Sequence, residues 1–552
     1  MLKDKELWKR ARESEEYKLL RDKLMEEYKM DCEGQDIPLI KFSDEFEFLK
    51  NGNRTRFQDV YFLRRRQLSI YATLAMLYPE KEEYIEKIED LICEICNEYS
   101  WVLPAHRSAA WFNKRDTIDL FVAETSMNLA EIKYILAERL NPLVVERITN
   151  EIKWRVFDSF ENETQGFENL SNNWAAVCGC GVGVTYMYES PERFNKVRDR
   201  IEKCMSNYMN FICDDGSTSE GIHYWQYGFS YYVMYYEMWR RYTFGRYNKF
   251  SNPKVTRVAK FFSSLMLDDN NFASFGDSGM DQYVCLWLQY FLKQEYGIEA
   301  FPAEECVYEL RQLPSVLRAF IYYTPGVEQK KIEEKITHFE ELQWYINKKA
   351  QYGFAIKGGK NDEERDHHNH NDIGSFIVVN NGKQVLCDLG SGEYTREYFS
   401  AKRYMYLNTS SLGHSVPIIE GKEQGTGGIY EGRLEVGEKC ISVDMKKAYP
   451  TAIKKLLRKF ELGEEGLVLT DAFDKGLDIT ERFVTRIKPV IENNSIIIDK
   501  TRISFPDDWK VECKCEYTTI GPEDTRMKEV YLIDFTPTEE TDMFKMEIGF
   551  CE

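Results

Sequence analysis

The sequence reads DHHNHNDIGSF at residues 366–376, CDLG at 387–390 and GHS at 413–415, and this stretch is unusually rich in histidine. Four of the seven histidines of the chain fall between residues 367 and 414. Before this stretch the apolar residues recur at helical spacing, and around and after it they alternate as in strands. The stretch therefore lies where an all-helical pattern has given way to a strand pattern.

The histidines of this stretch predict a metal site. A strand displays alternate residues on one face, so His368 and His370 can address the same site. Two imidazoles, the Asp388 carboxylate and the His414 imidazole are donors that suit zinc or a similar borderline ion. The alternative is a polar loop with incidental histidines.

The residues from about 343 onward predict an antiparallel β-sandwich, because many strands follow one another without an intervening helical pattern. Asn381-Gly382 between two apolar runs indicates a hairpin. With a two-residue loop, Asp388 pairs roughly opposite Ser375, and the histidine segment must curl back over the hairpin. We expect strands at 344–347, 353–357, 375–380, 384–388, 467–470, 495–499 and 530–535.

The residues before about 330 predict helices, because their apolar side chains recur every three or four positions. Several helices of similar length with short loops favour an (α/α) toroid, although no exact repeat is present. No glycine pattern of a Rossmann fold or phosphate loop occurs. The helical spacing is clearest at 63–76, 82–99, 117–139 and 142–157.

The two patterns predict two domains, since the chain is too long for one core. Thr324-Pro325-Gly326 breaks the last helix, and the charged run from 328 to 341 predicts a linker or a connecting helix. We therefore predict an α+β multidomain protein, with an α-helical toroid at residues 1–330 and an antiparallel β-sandwich at residues 331–552.

Three polar segments of the helical half are candidates for a binding site. WVLPAHR at 101–107 holds one of the few histidines, and SNNW at 171–174 starts a helix, where capping explains one asparagine better than two. In DDGSTSEGIHYWQYG at 214–228, a turn leads into an aromatic helix on which Tyr224 and Tyr227 share a face. An aromatic helix is usually core, but tyrosines beside Glu, His and Gln are also typical of a sugar cleft.

Composition excludes some classes of function. The net charge of −19 argues against nucleic-acid binding, because phosphate recognition needs a basic surface. No apolar run approaches the ~20 residues that span a bilayer. The sequence MLKDKELWKR at the start has no apolar core of a secretory signal, so we expect a cytoplasmic protein whose fourteen cysteines are free thiols.

Several motifs, taken in order, resemble the heparinase II/III-like polysaccharide lyases, which include oligo-alginate lyases. The resemblance covers roughly residues 100 to 425. It implies an N-terminal (α/α) toroid, a C-terminal antiparallel β-sandwich and an active site in the cleft between them. The motifs that carry it are HNHNDxGSF at 368–376, DxG at 388–390, Tyr398-Phe399, Arg403-Tyr404 and Gly413-His414.

The resemblance implies roles for individual residues of the strand half. His370, Asp388 and His414 correspond to the family's ligands of a structural zinc. His368 corresponds to an active-site residue.

In the helical half, the resemblance implies that Asn173 contacts the uronate carboxylate, with Asn172 as the alternative. Some members follow that asparagine with a catalytic histidine, and here the next residue is Trp174. This departure favours a mechanism centred on a tyrosine, for which spacing favours Tyr227 over Tyr224. The residues expected to bind substrate are His106, Arg107, Glu220, Trp174, Arg403 and Tyr404.

The implied reaction is β-elimination at a uronic acid, in which the C5 proton leaves and the C4–O bond breaks to give a 4,5-unsaturated sugar. Hydrogen bonds or positive charge must hold the carboxylate as negative charge develops on it. A tyrosine with a usual pKa of ~10 needs nearby positive charge to act as a base. His368 is the alternative base, and the metal is expected to fix the site rather than act as a Lewis acid.

Two other functions remain open on the sequence. One is a glycoside hydrolase that uses a carboxylate pair such as Asp215 and Glu220. The other is a sugar- or metal-binding protein without catalysis. For the lyase, we expect an imported oligosaccharide of the glycosaminoglycan or alginate type as the partner, with neither nucleic acid nor membrane involved and the oligomeric state left open.

Overall fold

The computed structural model describes residues 1–107, 117–280, 282–328, 334–362, 368–438 and 440–550. The chain divides into two compact units. Unit 1 comprises Met1–Phe211, Gln226–Thr256 and Tyr283–Gln329, and unit 2 comprises Ile212–Trp225, Arg257–Gln282 and Lys330–Glu552. The predicted boundary at residue 330 and the motif residues Asp366 and His367 lie outside the described residues.

Helices form most of unit 1, as the apolar spacing predicts, and they contain the four predicted helical segments with ends shifted by a few residues. The α-helices among the described residues are α1 (Lys5–Glu13), α2 (Lys18–Asp31), α3 (Phe42–Glu45), α4 (Glu47–Asn51), α5 (Thr55–Leu77), α6 (Glu82–Asn97), α7 (Leu120–Leu136), α8 (Pro142–Ile152), α9 (Ser159–Asn162), α10 (Asn173–Glu189), α11 (Pro191–Phe211), α12 (Gly221–Tyr242), α13 (Pro253–Ala259), α14 (Phe261–Ser264), α15 (Leu286–Tyr296) and α16 (Leu313–Tyr322).

Helices α7 and α10 position several candidate residues. Asp119 caps α7, because its Oδ1 accepts hydrogen bonds from the backbone N–H groups of Phe121 and Val122 at 3.0 and 2.9 Å. The glycines of α10 allow α7 to approach closely: a Cβ on Gly181 would lie 2.6 Å from the carbonyl oxygen of Ala123. The two helices therefore pack backbone against backbone.

Antiparallel strands form most of unit 2. The strands of the described chain are β1 (Val284–Cys285), β2 (Cys306–Val307), β3 (Lys335–Phe339), β4 (Trp344–Lys348), β5 (Tyr352–Lys357), β6 (Gly359–Asn361), β7 (Phe376–Asn380), β8 (Lys383–Leu386), β9 (Ile418–Ile419), β10 (Gly427–Val436), β11 (Cys440–Lys447), β12 (Leu456–Leu462), β13 (Gly466–Phe473), β14 (Ile479–Thr485), β15 (Val490–Glu492), β16 (Ser495–Ile498), β17 (Thr501–Ser504), β18 (Trp509–Thr519), β19 (Met527–Pro537) and β20 (Met543–Phe550).

Three sheets organise unit 2. Their strand orders are β15-β16-β17-β20-β13-β12-β11-β10-β6, β18-β19-β14-β9 and β3-β4-β5-β7-β8. Burial alternates along β13, as expected for a strand with one face on the core. The core contains Phe354, Phe376, Phe460 and Phe483, which come from all three sheets.

The structure corrects two expectations about this half. The part of the charged run that the structure describes from residue 334 onward contains strand β3, so this part is neither a simple linker nor a helix. The Asn381-Gly382 hairpin forms, but a register shift between Val378 and Val379 pairs Val378 with Leu386. Strand β8 ends at Leu386, so Asp388 does not pair with Ser375.

None of the helices in the described ranges is long and apolar enough to cross a membrane. The cysteines of the same ranges are free thiols, as expected.

Candidate functional site

Four side chains of unit 2 form a buried cluster whose donor atoms lie within 4.8 Å of one another: His370, Asp372, Asp388 and His414. All four are fully buried. Three of them belong to the predicted metal set, and Asp372 does not. The cluster could hold a metal ion.

Each member of this cluster uses one polar atom for a hydrogen bond outside it. Nε2 of His370 donates to Asp277 Oδ1 at 2.9 Å, and Nε2 of His414 donates to the Asn408 carbonyl at 2.9 Å. Asp388 Oδ1 accepts from the Gly390 N–H at 2.8 Å. Such outer partners fix the orientation of metal-ligating side chains.

The other atom of each member has no hydrogen bond within the described part of the chain: Nδ1 of His370 and His414, and Oδ2 of Asp372 and Asp388. Two of these atoms, Nδ1 of His414 and Oδ2 of Asp388, form an ion pair at 3.4 Å. Buried polar atoms rarely lack a hydrogen bond, and a cluster of such atoms is a sign of an ion. Burial lowers the pKa of His370 despite the nearby Asp277, which favours the neutral ring that binds metals. Although burial opposes it, the Asp388 carboxylate raises the pKa of His414, so a proton and a metal would compete for its Nδ1.

Asp277 lies next to this cluster and accepts hydrogen bonds from five side chains. Its Oδ1 accepts hydrogen bonds from His370, from the Tyr398 hydroxyl at 2.7 Å and from the Arg403 guanidinium at 3.0 Å. Its Oδ2 accepts from His368 Nδ1 at 2.8 Å and from the Tyr394 hydroxyl at 3.1 Å. Although burial opposes it, the Arg403 charge and the two histidines hold the pKa of Asp277 well below its usual value. Asp277 is therefore an ionised carboxylate.

Tyr224 packs against His368. The two rings stack with their centroids 3.7 Å apart and their planes at 19°. The Tyr224 hydroxyl hydrogen-bonds the Tyr394 hydroxyl at 2.5 Å. Because Tyr394 donates its own proton to Asp277, Tyr224 is the donor in this pair. His368, Tyr224, Tyr394 and Asp277 thus form one connected set within unit 2.

The segment 368–370 is not a strand, so the strand argument for the two histidines is wrong. His368 and His370 nevertheless meet, because each hydrogen-bonds a different oxygen of Asp277. A groove of 660 Å³ on unit 2 has Asn369, Ser219 and Gly276 in its lining. The basic side chains along it are Lys357, Lys360, Arg433, Lys446 and Lys447.

A second group of candidate residues lies in unit 1. His106 Nδ1 hydrogen-bonds Asp119 Oδ2 at 2.7 Å, and its ring lies 4.9 Å from the Trp174 ring. Asn172 caps α10 by accepting from the Trp174 N–H at 3.2 Å. Asn173, the first residue of the helix, is buried. Capping therefore accounts for Asn172.

Tyr227 also lies in unit 1, where its hydroxyl donates to Glu124 at 2.7 Å. Tyr231 donates to the same carboxylate oxygen at 2.8 Å. Burial and the Glu124 carboxylate raise the pKa of Tyr227 well above its usual value. This environment disfavours the phenolate form that a base requires.

The remaining predicted substrate contacts differ in exposure. Arg107 is buried and pairs with Glu45 at 3.0 Å. Arg403 is buried between Asp277 and the Asn369 carbonyl, and its charge lies 4.6 Å from the Tyr398 ring centre. Glu220 is buried, whereas Tyr404 is partly exposed. Substrate contact by these residues stays a prediction.

Solved structures share this architecture over most of their length. Heparinase III matches with a TM-score of 0.65 and 13% identity, over 89% of this chain and 77% of that chain. Heparan sulfate lyase HepC from Pedobacter heparinus matches with a TM-score of 0.56 and 12% identity, over 98% and 84%. The chondroitin AC lyase of Streptomyces coelicolor A3, in complex with chondroitin sulphate, matches with a TM-score of 0.55 and 10% identity, over 99% and 82%.

The chain has a heparinase-like polysaccharide lyase fold. The resemblance predicted from the sequence motifs is confirmed at this level. No family model and no curated protein sequence matches the chain. At 10–13% identity, the likeness of these lyases to the chain is a likeness of fold.

Within this lyase fold, sequence reasoning missed Asp277, Tyr394 and Asp372. Asp277 lies in FASFGDSG at 272–279, and its flanking glycines are the one local signal that marks it. Its importance depends on partners more than 90 residues away along the chain, such as His368. Asp372 belongs to the quoted HNHND motif, so its position was a usable signal.

Proposed function

We propose that this chain is a polysaccharide lyase that cleaves uronic-acid-containing oligosaccharides by β-elimination, on an (α/α) toroid followed by a β-sandwich. The three lyases that share the fold support this reaction class. The observation that carries the proposal is the set formed by Asp277, His368 and Tyr224, because it combines an oriented imidazole with a phenol. β-Elimination needs one group to take a proton and one to give a proton.

His368 is the proposed base for the C5 proton. Asp277 is an ionised acceptor at Nδ1, so Nδ1 carries the hydrogen of the neutral ring and the basic lone pair lies on Nε2. This is the arrangement by which a carboxylate orients a catalytic histidine in hydrolase triads. Asp277 also stabilises the imidazolium that forms when Nε2 takes the proton.

Tyr224 is the proposed acid for the leaving C4 oxygen. When His368 takes the C5 proton, the C–H electrons form the C4=C5 bond and the C4–O bond breaks. The leaving oxygen takes the Tyr224 proton, which turns to it from the Tyr394 hydroxyl. The stacked imidazolium stabilises the resulting phenolate until solvent restores both protonation states. This role replaces the predicted preference for Tyr227, which faces Glu124 instead.

The charge on the uronate carboxylate must also be held. Asn173 remains the proposed donor to it. Because Asp119 Oδ2 accepts from Nδ1 of His106, Nε2 of the neutral ring is an acceptor, and His106 can donate to the carboxylate only as an imidazolium. The groove of unit 2 is lined by five basic and four acidic side chains, and each of the basic ones pairs with a carboxylate, so the groove by itself does not favour an anionic saccharide. The substrate class we propose is a glycosaminoglycan-type or alginate-type oligosaccharide.

His370, Asp388 and His414 would hold a zinc ion, whose proposed contribution is structural. An ion that holds His370 in place would also hold Asp277, because His370 donates to Asp277 Oδ1. The other oxygen of Asp277 orients His368. No proton transfer in the proposed reaction involves the ion.

The test is ultraviolet absorbance of the unsaturated uronate, measured on a panel of uronic-acid oligosaccharides. We expect a rise on one substrate class that His368→Ala and Tyr224→Phe abolish. If reducing ends accumulate without the absorbance, the reaction is hydrolysis and the Asp215 and Glu220 pair becomes the leading candidate. If neither signal develops on any uronic-acid substrate, the lyase proposal is wrong.

A further inference from the structure

Asp372 lies in the metal cluster with one carboxylate oxygen already engaged. Its Oδ1 accepts a hydrogen bond from the Lys357 ammonium at 2.7 Å. Its Oδ2 has no hydrogen-bond partner among the residues that the structure describes. One of its carboxylate oxygens lies within 4.8 Å of the other three donors of the cluster. The side chain of Asp372 is fully buried, and that of Lys357 is 8% exposed.

This pattern is the one shown by the three predicted ligands. Each of these three residues also uses one polar atom for a hydrogen bond to a residue outside the cluster, while its second polar atom makes no hydrogen bond. The three residues are His370, Asp388 and His414. An isolated buried ion pair between Lys357 and Asp372 would explain Oδ1 but would leave Oδ2 buried without a hydrogen bond, which is unfavourable.

We propose that Asp372 is the fourth protein ligand of the metal and that Lys357 is a positioning residue that aims its Oδ2 at the ion. This inference rests on the metal part of the proposed function. Two imidazoles and two carboxylates are a donor set that zinc binds, and four protein donors are what structural zinc sites supply. The centre is then closed to substrate, unlike catalytic zinc sites, which keep a position open for water.

The test is direct Zn²⁺ binding, measured by calorimetric titration of protein from which metal has been removed by a chelator. Ligand and outer-partner substitutions weaken metal binding, the latter by about 10–100-fold. We expect Lys357→Met to weaken Zn²⁺ binding within that range and Asp372→Asn to weaken it further. Neither expectation depends on catalytic activity.

Lys348→Met is the matched control. Lys348 also has an 8% exposed side chain and pairs with a carboxylate, that of Asp269, at 2.8 Å. It lies away from the four donors, so Zn²⁺ affinity should remain that of the wild type. If Lys348→Met lowered Zn²⁺ affinity as much as Lys357→Met, removal of any buried lysine would weaken Zn²⁺ binding by disturbing the unit. The proposed positioning role of Lys357 would then be wrong.

Asp372→Asn leaves the Lys357 ammonium buried without its ionic partner, so it can unfold the unit. The double variant Lys357→Met/Asp372→Asn removes that charge. If this variant folds, by circular dichroism, and binds Zn²⁺ as tightly as the wild type, Asp372 is not a ligand. If the wild type itself binds no Zn²⁺, the metal proposal and this inference fail together. If Zn²⁺ binds as expected but no lyase activity is found, the inference stands alone.

Discussion

Tyr224 and Tyr227 lie about one turn apart on α12, yet their hydroxyls meet opposite environments. Tyr224 stacks on His368, whereas Tyr227 donates to Glu124, which raises its pKa together with burial. We therefore expect Tyr224→Phe to lower kcat by about 10²–10⁴-fold, the usual contribution of a general acid or base. Tyr227→Phe should keep most of kcat. The initial rate of increase in ultraviolet absorbance gives kcat for each variant. If Tyr227→Phe lost more of kcat than Tyr224→Phe, Tyr227 would be the catalytic tyrosine.

Asp277 acts through His368, so its removal should change the rate rather than substrate binding. We expect Asp277→Asn to lower kcat by about 10²–10⁴-fold with little change in KM, because the His368 tautomer is no longer fixed. The pH profile of kcat should shift as well, since His368 loses its neighbouring negative charge.

Tyr398→Phe is the control for Asp277, because Tyr398 donates to Oδ1 and not to the oxygen that holds His368. It should lower kcat much less than Asp277→Asn and leave the pH profile in place. If both variants lower kcat equally and neither shifts the profile, Asp277 has only a structural role.

Local patterns predicted elements well and long-range partners poorly. The Asn381-Gly382 turn follows from two residues that tolerate positive φ, at 51° and 73° here. The bulge beyond this turn could not be predicted from the local sequence. It accompanies a long-range contact, in which Cys387 donates its N–H to the carbonyl of Val484, about a hundred residues later. Asp277 was missed for the same reason: its partners His368 and His370 lie in a segment that is distant along the chain, so no local pattern connects them.

Gly374, in the HNHNDxGSF motif at 368–376, tests how much a glycine in the left-handed region contributes to the stability of unit 2. Its φ is +87°, and a Cβ there would lie well inside contact distance of Met445 Sδ. We expect Gly374→Ala to destabilise unit 2 by about 2–5 kcal/mol, from left-handed strain plus overpacking. Urea unfolding followed by circular dichroism measures this.

Gly382→Ala separates the two causes. Gly382 has φ +73°, and a Cβ there would meet no atom within 4 Å. It should therefore cost only the strain, about 1–2 kcal/mol. Equal losses at Gly374 and Gly382 would show that contact with Met445 contributes nothing.

Three strands of unit 2 share one buried ionic group. Arg458 of β12 pairs with Asp471 of β13 at 2.7 Å and with Glu481 of β14 at 3.1 Å. Burial and the Asp471 charge raise the pKa of Glu481 well above its usual value. The folded state therefore holds this proton more tightly than the unfolded state. Its contribution to stability is present below the unfolded pKa of ~4.3 and is lost as the pH rises toward the folded pKa.

Glu481→Gln carries no such proton, so it isolates this effect. We expect the wild type to lose unfolding free energy relative to Glu481→Gln as the pH rises from about 5 to about 8. Urea unfolding of both proteins across that range measures the difference, in which the other titrating groups cancel. A difference that stays constant with pH would show that Glu481 is ionised throughout.

For the molecule as a whole, sequence pattern predicted a helical part followed by antiparallel strands, and the net charge argued against nucleic-acid binding. It did not predict that 212–225 and 257–282 belong to unit 2, since their local pattern resembles that of their helical neighbours. Those two segments contribute Tyr224 and Asp277. Two of the three residues of the proposed acid–base set therefore come from parts of the chain that periodicity assigned to the helical half.

The metal cluster and the large apolar core both lie in unit 2, so metal removal should destabilise that unit in particular. A ligand at a thousand times its Kd stabilises the folded state by about 4 kcal/mol. We expect Zn²⁺ added to chelator-treated protein to raise the melting temperature of the transition that reports unit 2. Tryptophan fluorescence at Trp509, buried in the sheets of unit 2, can report that transition once other tryptophans are replaced by phenylalanine.

His414→Ala is the control for this prediction, because it removes one of the four donors. Its melting temperature should not respond to Zn²⁺, whereas that of Lys348→Met should rise like the wild type. If His414→Ala still responds fully, the stabilising ion binds outside the cluster. In that case Nδ1 of His370 and Oδ2 of Asp372, which have no hydrogen-bond partner among the described residues, would need another explanation, and the closed four-donor centre would be wrong.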